Sequence, residues 1–226
     1  MVNTSVNFSQ RVYLKGVDNN TFAYDGNNRN VFKFNGENRV RSGGSIMSLL
    51  NGDGNETDIT DSCCFGYLFF ENALLVSMPE LPATNLTSYC YHMMFAYCSN
   101  LSEVSYISAK DNLPRSCFNG MFGYCSKITI TPQFEISSFV NNDILQCDAM
   151  FIGCTSLNNL NCKLSANNLT ERCYSSMFSN TNIEKAPYLP AKNLGNSCYA
   201  RMFKDCSSLT EVTVAFENWN ESATEN

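Results

Sequence analysis

The apolar positions of this chain recur as a phrase. In Cys90-Tyr91-His92-Met93-Met94-Phe95-Ala96-Tyr97-Cys98, Cys, Met and Cys fall at i, i+4 and i+8, with aromatics at i+1 and i+5. The phrase returns from Cys117 to Cys125 and from Cys198 to Cys206, with degraded copies around Met150-Phe151 and Met177-Phe178 and an opening copy around Leu68-Phe69. Aligned on the second aromatic, the copies fall at Phe69, Phe95, Phe122, Phe151, Phe178 and Phe203, with spacings of 26, 27, 29, 27 and 25 residues. Self-similarity at a period of about 20 to 50 residues marks a stacked repeat. The i, i+4, i+8 stripe predicts a short helix in each unit, with the stripe turned to the core.

Each phrase is followed by Ser/Thr-x-Leu/Ile and a β-favouring run, such as Leu101 to Ile107 or Leu209 to Val214. A turn containing Pro or Asn follows, as in Pro79-Glu80-Leu81-Pro82-Ala83-Thr84-Asn85-Leu86 and Pro187-Tyr188-Leu189-Pro190-Ala191-Lys192-Asn193-Leu194. Proline ends a strand because it cannot donate to a ladder. The expectation is an α/β repeat: a leucine-rich-repeat solenoid of about six coils of 25–29 residues, strand plus short helix, over residues 46–216. Residues 1–45 read as an antiparallel β cap, with turns at Asp25-Gly26 and Asn35-Gly36, since Asn-Gly between β-rich runs favours a hairpin. Residues 217–226 form a polar tail in which Trp219 is expected to fold back as a cap.

Among residues 46–216, the pattern Cys-Tyr/Phe-x-x-Met-Phe-x-x-Cys-Ser/Thr-x-Leu, joined by Leu-Pro-Ala-x-Asn-Leu, resembles the BspA-like leucine-rich repeat family. That family is common in surface proteins of gut anaerobic bacteria and also occurs in phages and some protists. The resemblance implies a parallel β solenoid used for adhesion or recognition without catalysis. Unit four departs from the pattern with Gln146 at the first Cys place and Cys147 at the aromatic place. Units five and one have Thr181 and Asn72 at the second Cys place.

Charge and composition narrow the partners. A net charge of −6 and a pI near 4.8 argue against nucleic acid, and no basic cluster favours an anionic membrane. No apolar run reaches the roughly 18 residues of a membrane span, and no signal peptide is visible at Met1. The expected location is nevertheless extracellular, on a cell surface or a virion. The eight Asn-x-Ser/Thr triplets read as a by-product of abundant Asn, Ser and Thr.

Of the twelve cysteines, nine occupy the two repeated places; Cys63, Cys147 and Cys162 do not. Cysteines eight apart on a helix are about 12 Å apart, and helices of adjacent coils pack about 8–10 Å apart, so disulfides are not expected and the thiols read as small core hydrophobes. No Cys-x2-Cys pair suggests zinc, and the loop Asn51 to Asp58 lacks the Gly and Glu of a calcium loop. His92, the only histidine, reads as an exposed helix residue. No catalytic set, metal site or cofactor is expected.

Binding is expected on the face of the strand ladder, where a column of Ser77, Glu103, Ile130, Asn159, Lys185 and Glu211 changes chemistry from coil to coil. Glu103, Asn159, Lys185 and Glu211, with exposed Tyr106 and Tyr188 beside them, are the candidate contacts for a host or bacterial surface protein or glycan. The alternative is a phage decoration or fibre protein acting as a spacer or assembly element through self-association or virion partners.

Overall fold

The structure is a computed structural model describing residues 13–17, 19, 31–217 and 221–224. Trp219, Asp25-Gly26 and most of the expected N-terminal cap lie outside the described residues. The six units stack in parallel. Strand β1 (Val40–Arg41) pairs with β2 (Leu75–Ser77), β3 (Phe134–Ile136) pairs with β4 (Cys162–Leu164), and single parallel bridges join other neighbouring units, among them Ser77↔Glu103, Tyr106↔Gln133 and Lys185↔Glu211.

The phrase is not a helix. Among the described residues, the only helices are α1 (Ser48–Asn51) and α2 (Glu221–Thr224). Within each phrase every fourth residue has positive φ: Cys63, Tyr67 and Glu71; Tyr89, Met93 and Tyr97; Ser116, Gly120 and Tyr124; and the same three places in the last three units. These residues break the chain into successive turns, closed by i→i+3 bonds such as Gly66 N–H to Cys63 O (3.0 Å) and Phe70 N–H to Tyr67 O (2.9 Å).

The alternate amides leave the turn and run forward to the next unit. Tyr91, Met93, Phe95 and Tyr97 donate to the carbonyls of Cys117, Asn119, Met121 and Gly123 at 2.8–3.0 Å, and each of the first five units follows the same rule. In this ribbon every inter-unit N–H points toward the C-terminal end of the stack and every accepting C=O toward the N-terminal end. A non-glycine residue at positive φ costs about 1–2 kcal/mol, so the turns persist because the interlocking bonds and buried side chains over-determine them.

Backbone-to-backbone bonding brings equivalent residues of adjacent units to about the 4.8 Å of strand neighbours. Side chains therefore stack. Phe69, Phe95, Phe122, Phe151, Phe178 and Phe203 form one column with centroids 5.3–6.1 Å apart and planes within 11°. Phe65, Tyr91 and Phe118 form a second, resumed by Tyr174 and Tyr199. The break between them is Cys147, where Phe139 of the preceding turn sets its ring edge-on to Tyr174 at 5.3 Å and supplies the missing bulk.

Two further expectations are overturned. Cysteines of adjacent units are not held 8–10 Å apart by helical packing; their backbones lie within disulfide range. The structure holds them as thiols that tie units together: Cys98, Cys125, Cys154 and Cys206 donate to the carbonyls of Phe69, Phe95, Phe122 and Phe178 at 3.0–3.1 Å. The hairpin at Asn35-Gly36 is also absent: no antiparallel pair occurs among the described residues, and Val40–Arg41 joins the parallel stack. Phe32 and Lys33 instead cover the acceptor end of the ribbon, with Phe32 N–H on Leu68 O (2.7 Å) and Lys33 Nζ on Phe70 O (2.9 Å).

Candidate functional site

The strand face carries the side chains that do not repeat. Glu103, Asn159, Lys185, Glu211, Tyr106 and Tyr188 are all exposed. The column keeps its register in pairs, Ser77 with Glu103, Ile130 with Asn159 and Lys185 with Glu211. Glu103 receives the guanidinium of Arg41 from two strands away. Lys185 Nζ lies 3.3 Å from Glu211 Oε2, and Asn159 donates to its neighbour Asn158 at 2.7 Å. Tyr106 and Tyr188 do not meet: three units separate them, about 14 Å at strand spacing. Exposed ion pairs contribute only about 0–1 kcal/mol to stability, so their effect is chiefly to neutralise Glu103 and Lys185 at the face.

Side chains that the sequence reading passed over gather beside Tyr188. Between units four and five lies a shallow groove of about 390 Å³, with Cys162, Leu164, Pro187 and Pro190 as its apolar surface and Tyr188 on its wall. Lys163 Nζ on its rim lies 3.3 Å from Glu135 Oε1, and Ser165 Oγ donates to the same oxygen at 2.8 Å. These two partners hold the Glu135 carboxyl below its ordinary pKa, the Ser165 hydrogen bond being the larger cause. The legible signal was Pro187-Tyr188-Leu189-Pro190, an aromatic between residues that cannot donate to a ladder.

A second cavity, of about 280 Å³, lies on the ribbon side among Cys63, Gly66, Tyr67, Tyr89 and His92. His92 is half-buried and sits on a turn, so its reading as an exposed helix residue is corrected. Its Nε2 is 3.1 Å from Tyr67 Oη, and its ring lies edge-on to Tyr67 and Tyr89. Burial raises the Cys63 thiol pKa, the opposite of what a nucleophile needs. Among the described residues, no three His, Cys, Asp or Glu side chains converge in a way that could hold a metal, and no helix is long and apolar enough to cross a membrane.

Neither a protein-family model, nor a curated protein, nor a solved structure matches the chain.

Proposed function

We propose that this chain is a non-catalytic recognition or adhesion module of the BspA-like leucine-rich-repeat kind, displayed on a cell surface or virion and binding a protein or glycan through its strand face. One observation carries the reading. The ribbon repeats the same backbone in all six units, whereas the strand-face column changes chemistry, a buried Ser77 being followed by exposed Glu103, Ile130, Asn159, Lys185 and Glu211. A constant scaffold with a varied surface suits an irregular epitope, since binding residues concentrate where the scaffold leaves sequence free. The test is binding of the full chain to a panel of immobilised glycoproteins, each with and without its glycans removed. Replacing Glu103, Lys185 and Glu211 together by alanine should abolish capture while the thermal midpoint stays unchanged; undiminished capture would sink the strand-face reading.

A separate observation favours a spacer or assembly role. At the C-terminal end of the ribbon, the amides of Arg201, Phe203 and Asp205 have no partner among the described residues, and Phe203 is only half-buried. An edge made only of donors cannot pair with itself, so copies joined there would stack head to tail, the arrangement that yields open filaments. Under this reading, sedimentation velocity shows concentration-dependent growth that Phe203→Asp abolishes; a monomer at every concentration rules it out.

A further inference from the structure

Between units four and five the strand ladder opens inside the stack. Phe134 N–H donates to Asn161 O (3.4 Å) and Ser165 N–H to Ile136 O (2.7 Å), so the odd-numbered residues of this segment face unit three. Alternation along a parallel strand then turns the N–H and C=O of Cys162 and Leu164 toward unit five. No bond from unit five meets them among the described residues. Pro187 and Pro190 have no N–H, and the amides of Ala186 and Leu189 donate forward to Glu211 and Thr213. No backbone bond joins residues 162–165 to residues 186–190 among the described residues.

The opening is bounded. Asn182 N–H donates to Leu157 O (2.9 Å) at one end, and Leu169 N–H donates to Asn193 O (2.8 Å) at the other, beside the Asn168↔Asn193 bridge. The free edge is too short for an extended peptide to add as a strand, since that mode needs a continuous row of main-chain groups. The groove's volume of about 390 Å³ lies at the small end of ligand sites, which run from about 300 to 1,000 Å³.

We propose that this opening binds a single neutral pyranose ring, terminal or branching on a glycan. The proposal rests on the recognition reading above and names its ligand class. A sugar's hydroxyls both donate and accept, matching the mixed N–H and C=O edge of Cys162 and Leu164 and the hydroxyl of Ser165. Its C–H face suits the ring of Tyr188, which is 56% exposed between the two prolines. The only charged side chain lining the groove, Lys163, already faces Glu135, so the lining has no uncompensated charge to select an anionic ligand.

The test uses the full chain on an array of neutral, sialylated and sulfated oligosaccharides, followed by calorimetric titration with the methyl glycoside of the best terminal sugar. The expected result is binding to a neutral terminal hexose, weakened at least ten-fold by Tyr188→Ala and unchanged by Tyr106→Ala. Ser165→Ala, a milder substitution, is expected to weaken binding several-fold, and the Cys162 and Leu164 amide resonances should shift on titration in the unmutated chain. Retention of a ring ligand by Tyr188→Ala, selection of charged glycans only, or an array with no bound glycan overturns the proposal. Capture of a deglycosylated protein through Glu103, Lys185 and Glu211 would overturn this site while leaving the strand-face reading standing.

Discussion

The ribbon and the strand face are built from the same chain at the same rise per unit, yet they obey different rules. In the ribbon every inter-unit N–H points one way, the side chains stack ring on ring, and insertions are not tolerated. On the strand face the pairing is intermittent, the side chains differ, and the ladder opens at Pro187 and Pro190. Where side chains are buried, as at Phe95 and Cys98, they are confined to a few types. Where they are not, as at Tyr106 or Lys185, the sequence is free to vary.

This contrast is sharpest under alkali. Burial pushes the thiols of Cys98, Cys154 and Cys198 in the ribbon up to about 12. A thiol in the unfolded chain ionises near 8.5. The folded value is therefore the raised one: the thiols contribute stability fully below about pH 8.5 and lose it as pH rises toward 12. Reversible unfolding between pH 8.5 and 12 should be pronounced, and Cys98→Ala with Cys154→Ala should flatten its pH slope. A pH slope unchanged by those substitutions would show that the thiols are not the titrating groups.

Ring removal divides the two regions next. Phe122→Ala, in the middle of the first column, should cost about 3–5 kcal/mol by urea denaturation, whereas Tyr188→Ala on the strand face should change stability by less than about 0.5 kcal/mol. Comparable losses would erase the distinction between scaffold and surface.

Unit four offers a compensated exception. Cys147→Tyr alone should overpack against Phe139 and cost about 1–3 kcal/mol. Combined with Phe139→Leu, the residue type of the matching turns at Leu113 and Leu169, it should recover most of that loss, and a double-mutant cycle measures the coupling. Additive effects would mean that Phe139 does not fill the space left by Cys147.

The smallest effect concerns Tyr91, whose buried hydroxyl has no hydrogen-bond partner among the described residues. Its neighbours in the column are Phe65 and Phe118, so Tyr91→Phe should raise stability by about 1 kcal/mol, read as an increased urea midpoint. A loss would reveal a partner for the hydroxyl.

Much of this stack was legible in the sequence. The recurrence of Met-Phe placed the six rings, and counting from each strand's leading Leu or Ile placed Ser77 opposite Glu103 and Lys185 opposite Glu211. The backbone of the phrase was not legible from its apolar stripe, because i, i+4 and i+8 fit a turn every four residues as well as a helix of 3.6. The discriminating signal lay in the positions between: Gly120, Gly153, Asn180 and Asp205 are types that tolerate positive φ. At Gly153 a side chain is also excluded by contact, since a Cβ would lie 2.5 Å from Tyr124 Cδ1. The groove was hidden for another reason. It depends on which amides unit five spends forward, and only the pairing of Ala186 and Leu189 shows that.

Residue-resolved amide hydrogen exchange tests the contrast most directly. The account predicts that the forward-donating amides of Phe95, Phe122 and Phe151 exchange only on global unfolding, while those of Cys162 and Leu164 exchange by local solvent access orders of magnitude faster. Fast exchange along the ribbon, or protection of Cys162 and Leu164 equal to that of Phe122, would contradict it.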